Sequence, residues 1–173
     1  VLHSLRLTQV YPDPVDGLNR MTTQILHVSD THLGNRQYGS DTRREDFANA
    51  FEQAIQYAID ENVDAVIHTG DLFDSRNPSL ADLNRCIDIL EQLRDLEIPF
   101  YGIVGNHERK MADQYLDLIG KTDTANRLDN SPTMITDDVA VYGIDAVTNP
   151  AWHAHDFTLV DPPDGTFTIL CMH

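Results

Sequence analysis

The sequence predicts an α/β fold around a parallel sheet, on three observations. From Met21 onward, short apolar runs alternate with stretches whose apolar residues repeat at helical spacing. Each of the first three apolar runs stops at a polar block rich in glycine, aspartate and histidine. The composition, 41% apolar and 23% charged over 173 residues, is that of a globular chain able to bury one core.

Residues 1–20 hold Pro12, Pro14 and Gly17 and show no sustained periodicity. They read as a leader or a non-native extension, with Met21 as the natural start and residues 21–173 as one domain. They lack the basic start and apolar stretch of a secretion signal. Thr22–Asp30 is the first strand. Thr42, with Glu45 three residues on, resembles a capping box. The helix it opens should bury Phe47, Phe51, Ala54, Ile55, Ala58 and Ile59 on one face. Val63–His68 is the second strand. Pro78-Ser79 then leads a helix carrying Leu83, Cys86, Ile87, Leu90 and Leu93. Pro99–Val104 is the third strand, and Ala112–Ile119 a short helix. Such a β-α-β-α-β order implies parallel strands joined by right-handed crossovers.

After about Asp129 the pattern changes. Thr133–Ile135 and Val139–Ile144 flank Asp137-Asp138, a hairpin turn. Thr166–Met172 is another strand, carrying Cys171 and running into His173. These segments should form a second, more antiparallel sheet packed on the first. A chain that begins at Val1 and ends within an apolar strand is expected to be a fragment.

The net charge is −16, supplied largely by aspartate, and lysine occurs only at Lys110 and Lys121. This aspartate-rich, lysine-poor balance fits a halophilic protein, since concentrated salt screens self-repulsion. It also disfavours a broad basic groove for nucleic acid, so metal ions, a few arginines or a partner must supply attraction to any DNA. Cys86 and Cys171 form no disulfide framework. No apolar run approaches the 18 or more residues of a membrane span, and a cytoplasmic location is expected.

The polar blocks carry the chemistry. The first strand ends in Ser29-Asp30-Thr31-His32-Leu33-Gly34, the second in Gly70-Asp71-Leu72-Phe73-Asp74, the third in Gly105-Asn106-His107-Glu108. Ligands of open α/β sheets bind at the carboxyl ends of the strands, so the three loops should meet. Carboxylate, imidazole and amide oxygen favour manganese, iron or zinc. Asp30 and His32, two apart in extended chain, can share an ion, and Asp71 can bridge to a second. Gly70 and Gly105 allow close backbone approach. Each block alone is more often a polar loop or a turn; three in this order, each ending a strand, point to a metal site. His27 and His68 sit within strands and read as hydrogen-bonded structural residues, His153 and His155 as surface loop. Arg36, Arg43, Arg44, Arg76 and Arg109 cluster near the loops, as phosphate contacts or as salt-bridged surface.

The blocks D-x-H, G-D-x-x-D and G-N-H resemble those of the calcineurin-like metallophosphoesterases, from about Ile25 to His173. Within that superfamily the chain is most similar to the SbcD-type nucleases, which include the archaeal and eukaryotic break-repair nuclease. Arg43-Arg44-Glu45-Asp46-Phe47, Asn77-Pro78-Ser79 and Val141-Tyr142-Gly143-Ile144 carry the finer likeness. The resemblance implies an α-β-β-α sandwich, incomplete in its second sheet, and a manganese-dependent DNA nuclease. Asp30, His32 and Asp71 would hold one divalent ion, and Asp71, Asn106 and His173 the other. His107 would protonate the leaving oxygen. It also implies DNA as substrate, an SMC-like ATPase of the SbcC type as partner, and a homodimer. Asp74 stands where archaeal and eukaryotic members usually have His, Glu108 replaces the usual Asp, and the family's final Gly-His-x-His block lies beyond His173. A small-molecule phosphodiesterase or phosphatase with the same core is the enzymatic alternative. A fragment inactive for want of its last ligands is the other.

Overall fold

The computed structural model describes residues 2–7, 23–111 and 113–173. Its strands are β1 (Leu2–Leu7), β2 (Thr23–Val28), β3 (Ala65–His68), β4 (Phe100–Gly102), β5 (Asn126–Arg127), β6 (Thr133–Thr136), β7 (Val139–Ile144) and β8 (Phe167–Met172). Its helices are α1 (Asp41–Asp60), α2 (Leu80–Arg94), α3 (Tyr115–Gly120) and the single turn α4 (Asn149–Trp152). One sheet runs β1-β2-β3-β4-β5, the other β6-β7-β8. From β2 to β5 all pairings are parallel, as the alternation of strand and helix requires.

Alternate residues of the central strands feed two cores. Leu26, Val28 and Val66 pack under Phe51, Ile55 and Ala58 of α1 and under Cys86, Leu90 and Leu93 of α2. Their neighbours Ile25 and Ile67 join Val139, Val141 and Cys171 between the two sheets. This period-two split is the signature of a sheet buried on both faces. Each fully buried large side chain contributes about 1.5–3 kcal/mol. Burial pushes the Cys86 thiol up and that of Cys171 up to about 12, so both are inert core residues.

Several boundaries differ from expectation. The cap of α1 is Ser40, which accepts a hydrogen bond from the Arg43 amide, rather than Thr42, which lies inside the first turn. Helix α2 is capped by Ser79 as expected, with Ile89 added to its buried face. Helix α3 starts at Tyr115, where the Gln114 amide donates to Asp117 at 3.4 Å; Ala112 lies outside the described residues. Leu2–Leu7, expected as part of a leader, pair antiparallel with β2 through their backbone, and residues 8–22, including Met21, lie outside the description. In the second sheet Asp137-Asp138 forms the expected turn between antiparallel β6 and β7. Strand β8, however, runs parallel to β7. Residues 145–166 provide a connection of the dozen or more residues that a parallel crossover needs. Among the described residues no helix is long and apolar enough to cross a membrane.

Candidate metal centre

The carboxyl ends of β2 and β3 are zipped together by backbone hydrogen bonds. Asp30 N donates to Gly70 O at 3.1 Å, His32 N to Asp71 O at 3.0 Å, and Leu33 N to Leu72 O at 2.8 Å. Asp30, His32 and Asp71 adopt left-handed backbone, with φ of 54°, 44° and 56°. For residues bearing a Cβ this conformation is uncommon and costs about 1–2 kcal/mol each. Such strain is characteristic of functional sites.

Asp71 is the hub. Its side chain is buried, its Oδ1 accepts from the His107 amide at 2.9 Å, and its Oδ2 faces three imidazoles. Those contacts are His173 Nε2 at 3.3 Å, His32 Nε2 at 3.9 Å and His107 Nε2 at 4.0 Å. His173, at the end of β8, places Nδ1 2.8 Å from the Thr69 carbonyl, to which it donates. In the neutral ring Nε2 then carries a lone pair, yet it lies 3.0 Å from Asn106 Oδ1. Acceptors converge there as they would around a cation, so the donor set fits a divalent ion. Asp30, His32 and Asp71 offer a second group, with all three ligand atoms within 4.8 Å of one another. Every residue assigned to metal from the sequence thus falls in one cluster. Burial pushes the Asp30 carboxyl upward, but the Ser29 hydroxyl and the neighbouring His173 and His32 rings outweigh it and hold it below its usual range.

Glycines permit this proximity. A Cβ on Gly105 would fall on the Asp71 amide and carboxylate, and one on Gly70 would lie 2.7 Å from His173 Nδ1. Glu108, buried, ties the second and third loops together by accepting from Phe73 N at 2.9 Å and Gly105 N at 3.1 Å. Burial raises its pKa, opposed by those amides.

Asp74 takes a larger part than its sequence reading gave it. Its carboxylate is 3.4 Å from His32 Nδ1 and 3.9 Å from His107 Nδ1, and its carbonyl accepts from His107 Nδ1 at 3.3 Å. The spacing G-D-x-x-D was the available signal. Of the arginines, Arg36, Arg43 and Arg44 are ion-paired with Asp41, Asp46 and Asp82. Arg109 donates to the Ala146 carbonyl, and among the described residues Arg76 and Arg109 form no ion pair. His153 and His155 lie on an exposed loop, as expected. His27 Nε2 is 2.8 Å from the Thr69 hydroxyl.

His68 is 1% exposed, against Phe51 and Phe100. Burial drives its pKa down to about 3, against the upward pull of Asp30. The unfolded chain takes up this proton near pH 6.5, the folded chain only near pH 3, so stability is full above 6.5 and falls through that window. Between pH 6.5 and 4.5, wild type should lose about 1.4 kcal/mol per pH unit relative to His68→Gln. Chemical denaturation in high salt measures this. Parallel slopes would show that His68 is not held neutral.

The family model for calcineurin-like phosphoesterases matches residues 23–173. The chain is 50% identical over 141 residues to the DNA double-strand break repair protein Mre11 of Methanosarcina mazei, covering 82% of this chain and 23% of that one. To the protein of the same name from Halobacterium salinarum it is 46% identical over 138 residues, covering 80% and 35%. A solved structure, the Pseudomonas putida nuclease MPE, is similar with a TM-score of 0.46 and 20% identity, covering 72% of this chain and 56% of that one. The chain spans about a quarter to a third of the length of these curated relatives.

Proposed function

This chain belongs to the calcineurin-like phosphoesterase family, and from that premise we propose that it is the metal-holding part of a manganese-dependent DNA nuclease of the double-strand-break repair type. The convergence of His173 Nε2, Asn106 Oδ1 and Asp71 Oδ2 carries the reading. Likeness to proteins named for DNA double-strand break repair directs it to DNA. Two divalent ions, when bound, supply charge neutralisation at the phosphate and an activated water. Asp30, His32 and Asp71 hold one, and Asp71, Asn106 and His173 the other.

His107 is the general acid. Its Nδ1–H is committed to the Asp74 carbonyl, so the proton it would give the leaving oxygen is the one on Nε2 of the imidazolium, directed into the site beside Asp71. Among the described residues Arg76 and Arg109 pair with no carboxylate, which leaves their charge for phosphate. The partners are DNA, an SMC-like ATPase and a second copy of the chain, in the cytoplasm of a halophile. With a net charge of −16, DNA affinity comes from the ions, these arginines and the partner rather than from a basic surface.

Assays in high salt with manganese test the reading on this chain and on a longer one carrying the further length of its relatives. The longer chain should degrade linear duplex DNA, and this one more weakly. A longer chain that cleaves nitrophenyl phosphate esters but not DNA would favour the small-molecule phosphodiesterase or phosphatase.

A further inference from the structure

We propose that Thr31 and His68 are positioning residues, a hydroxyl–imidazole pin that holds the loop bearing Asp30 and His32 in the backbone conformation its metal-binding geometry needs. The proposal rests on the reading of this loop as a metal site. Thr31 stands between two left-handed residues, Asp30 and His32. Backbone of this kind is disfavoured for any residue with a Cβ, so the loop keeps its shape only where surrounding contacts over-determine it.

The Thr31 hydroxyl supplies such a contact on both sides. Its Oγ1 lies 3.2 Å from the Leu72 carbonyl and 3.0 Å from His68 Nε2. A hydroxyl has one hydrogen and a carbonyl can only accept. Both contacts are used when Thr31 donates to Leu72 O and His68 Nε2–H donates to Thr31. Leu72 directly follows Asp71, also left-handed, so one side chain ties together the three left-handed positions of the site. The other end of the pin cannot drift. The His68 ring packs edge-on to Phe51 at 6.2 Å and tilted against Phe100 at 6.0 Å, in the core beneath α1. A neutral imidazole, as burial dictates here, retains the single N–H that this geometry uses. His68 lies outside both donor groups and reaches the loop by its hydrogen bond to Thr31.

Manganese calorimetry and urea denaturation on the same samples, in high salt, test the pin. Thr31→Val and His68→Phe remove its hydrogen bonds while keeping volume. Thr31→Ser and His68→Gln retain a hydroxyl and an N–H at the corresponding positions. The first pair should bind manganese about 10–100-fold more weakly, the range seen when a ligand's supporting partner is lost. The second pair should bind nearly as wild type does. A merely structural role would lower the urea midpoint of His68→Phe and leave the affinity of its folded fraction unchanged. Thr31→Val does not disturb the core, so it keeps the test valid if His68→Phe fails to fold. Equal affinity of Thr31→Val, Thr31→Ser and wild type overturns the proposal. A wild-type chain that takes up no manganese instead overturns the metal-site reading beneath it.

Discussion

Asp71→Ala should abolish manganese uptake at both positions of the centre while leaving the chain folded. The Asp71 Oδ2 lies within 4.0 Å of His32, His107 and His173, and its Oδ1 accepts the His107 amide. On the proposed assignment its removal would take a ligand from each ion and free the third loop. The loss should exceed the roughly 100-fold that accompanies loss of a supporting partner. Asp71→Asn separates the two effects, because an amide oxygen still accepts from His107 N but carries no charge. Calorimetry on the three proteins decides. Equal manganese binding by wild type and Asp71→Ala would remove the bridging role.

The second large effect is expected at His107, in a chain extended by the further length of its relatives. His107→Asn should cut phosphodiester cleavage by about 10²–10⁴-fold, the loss typical of a general acid. Manganese affinity should hold, whereas Asn106→Ala should lower it. An ester with a nitrophenolate leaving group needs no proton, so on that substrate the variant should regain much of its rate. The ring is half-exposed, with Nδ1 tied back to Asp74 and Nε2 turned inward, the orientation a proton donor needs. The same deficit on both substrates would make His107 a residue that braces its loop.

Three of the four parallel strands and their helices were legible in the sequence, as were the residues gathered at the strand ends, the part of Asp74 excepted. Strands β2 to β4 carry apolar residues on both faces because both are covered, and each leads into a loop of polar residues. What escaped the sequence had weaker local causes. Two hydroxyls, Ser40 and Thr42, competed for one cap, and propensity alone does not choose between them. Strand β1 is recruited by backbone pairing with β2, which imposes no apolar pattern. The direction of β8 depends on the path of residues 145–166, a property of the whole fold. His68 read as a hydrogen-bonded structural residue, and it is one, buried in the core. Its bond to Thr31 follows from the register of β2 against β3, which no residue pattern states.

His173 belongs to a different layer from its companions. Asp30, Asp71 and Asn106 follow strands of the five-stranded sheet, whereas His173 extends the edge strand of the three-stranded one. The two layers also meet through apolar side chains such as Ile25, Ile67, Val141 and Cys171, with directional bonds between Thr23 and Thr136 and from Val104 N to Asp145. An ion shared by Asp71 and His173 would act as a rivet across that seam. It would fix how the layers slide against one another, and at 100 times its dissociation constant would add about 2.7 kcal/mol to their cohesion. A chelator would then do more than silence the chemistry: it would loosen one layer on the other, so that breathing of β6–β8 and loss of the ion become one event.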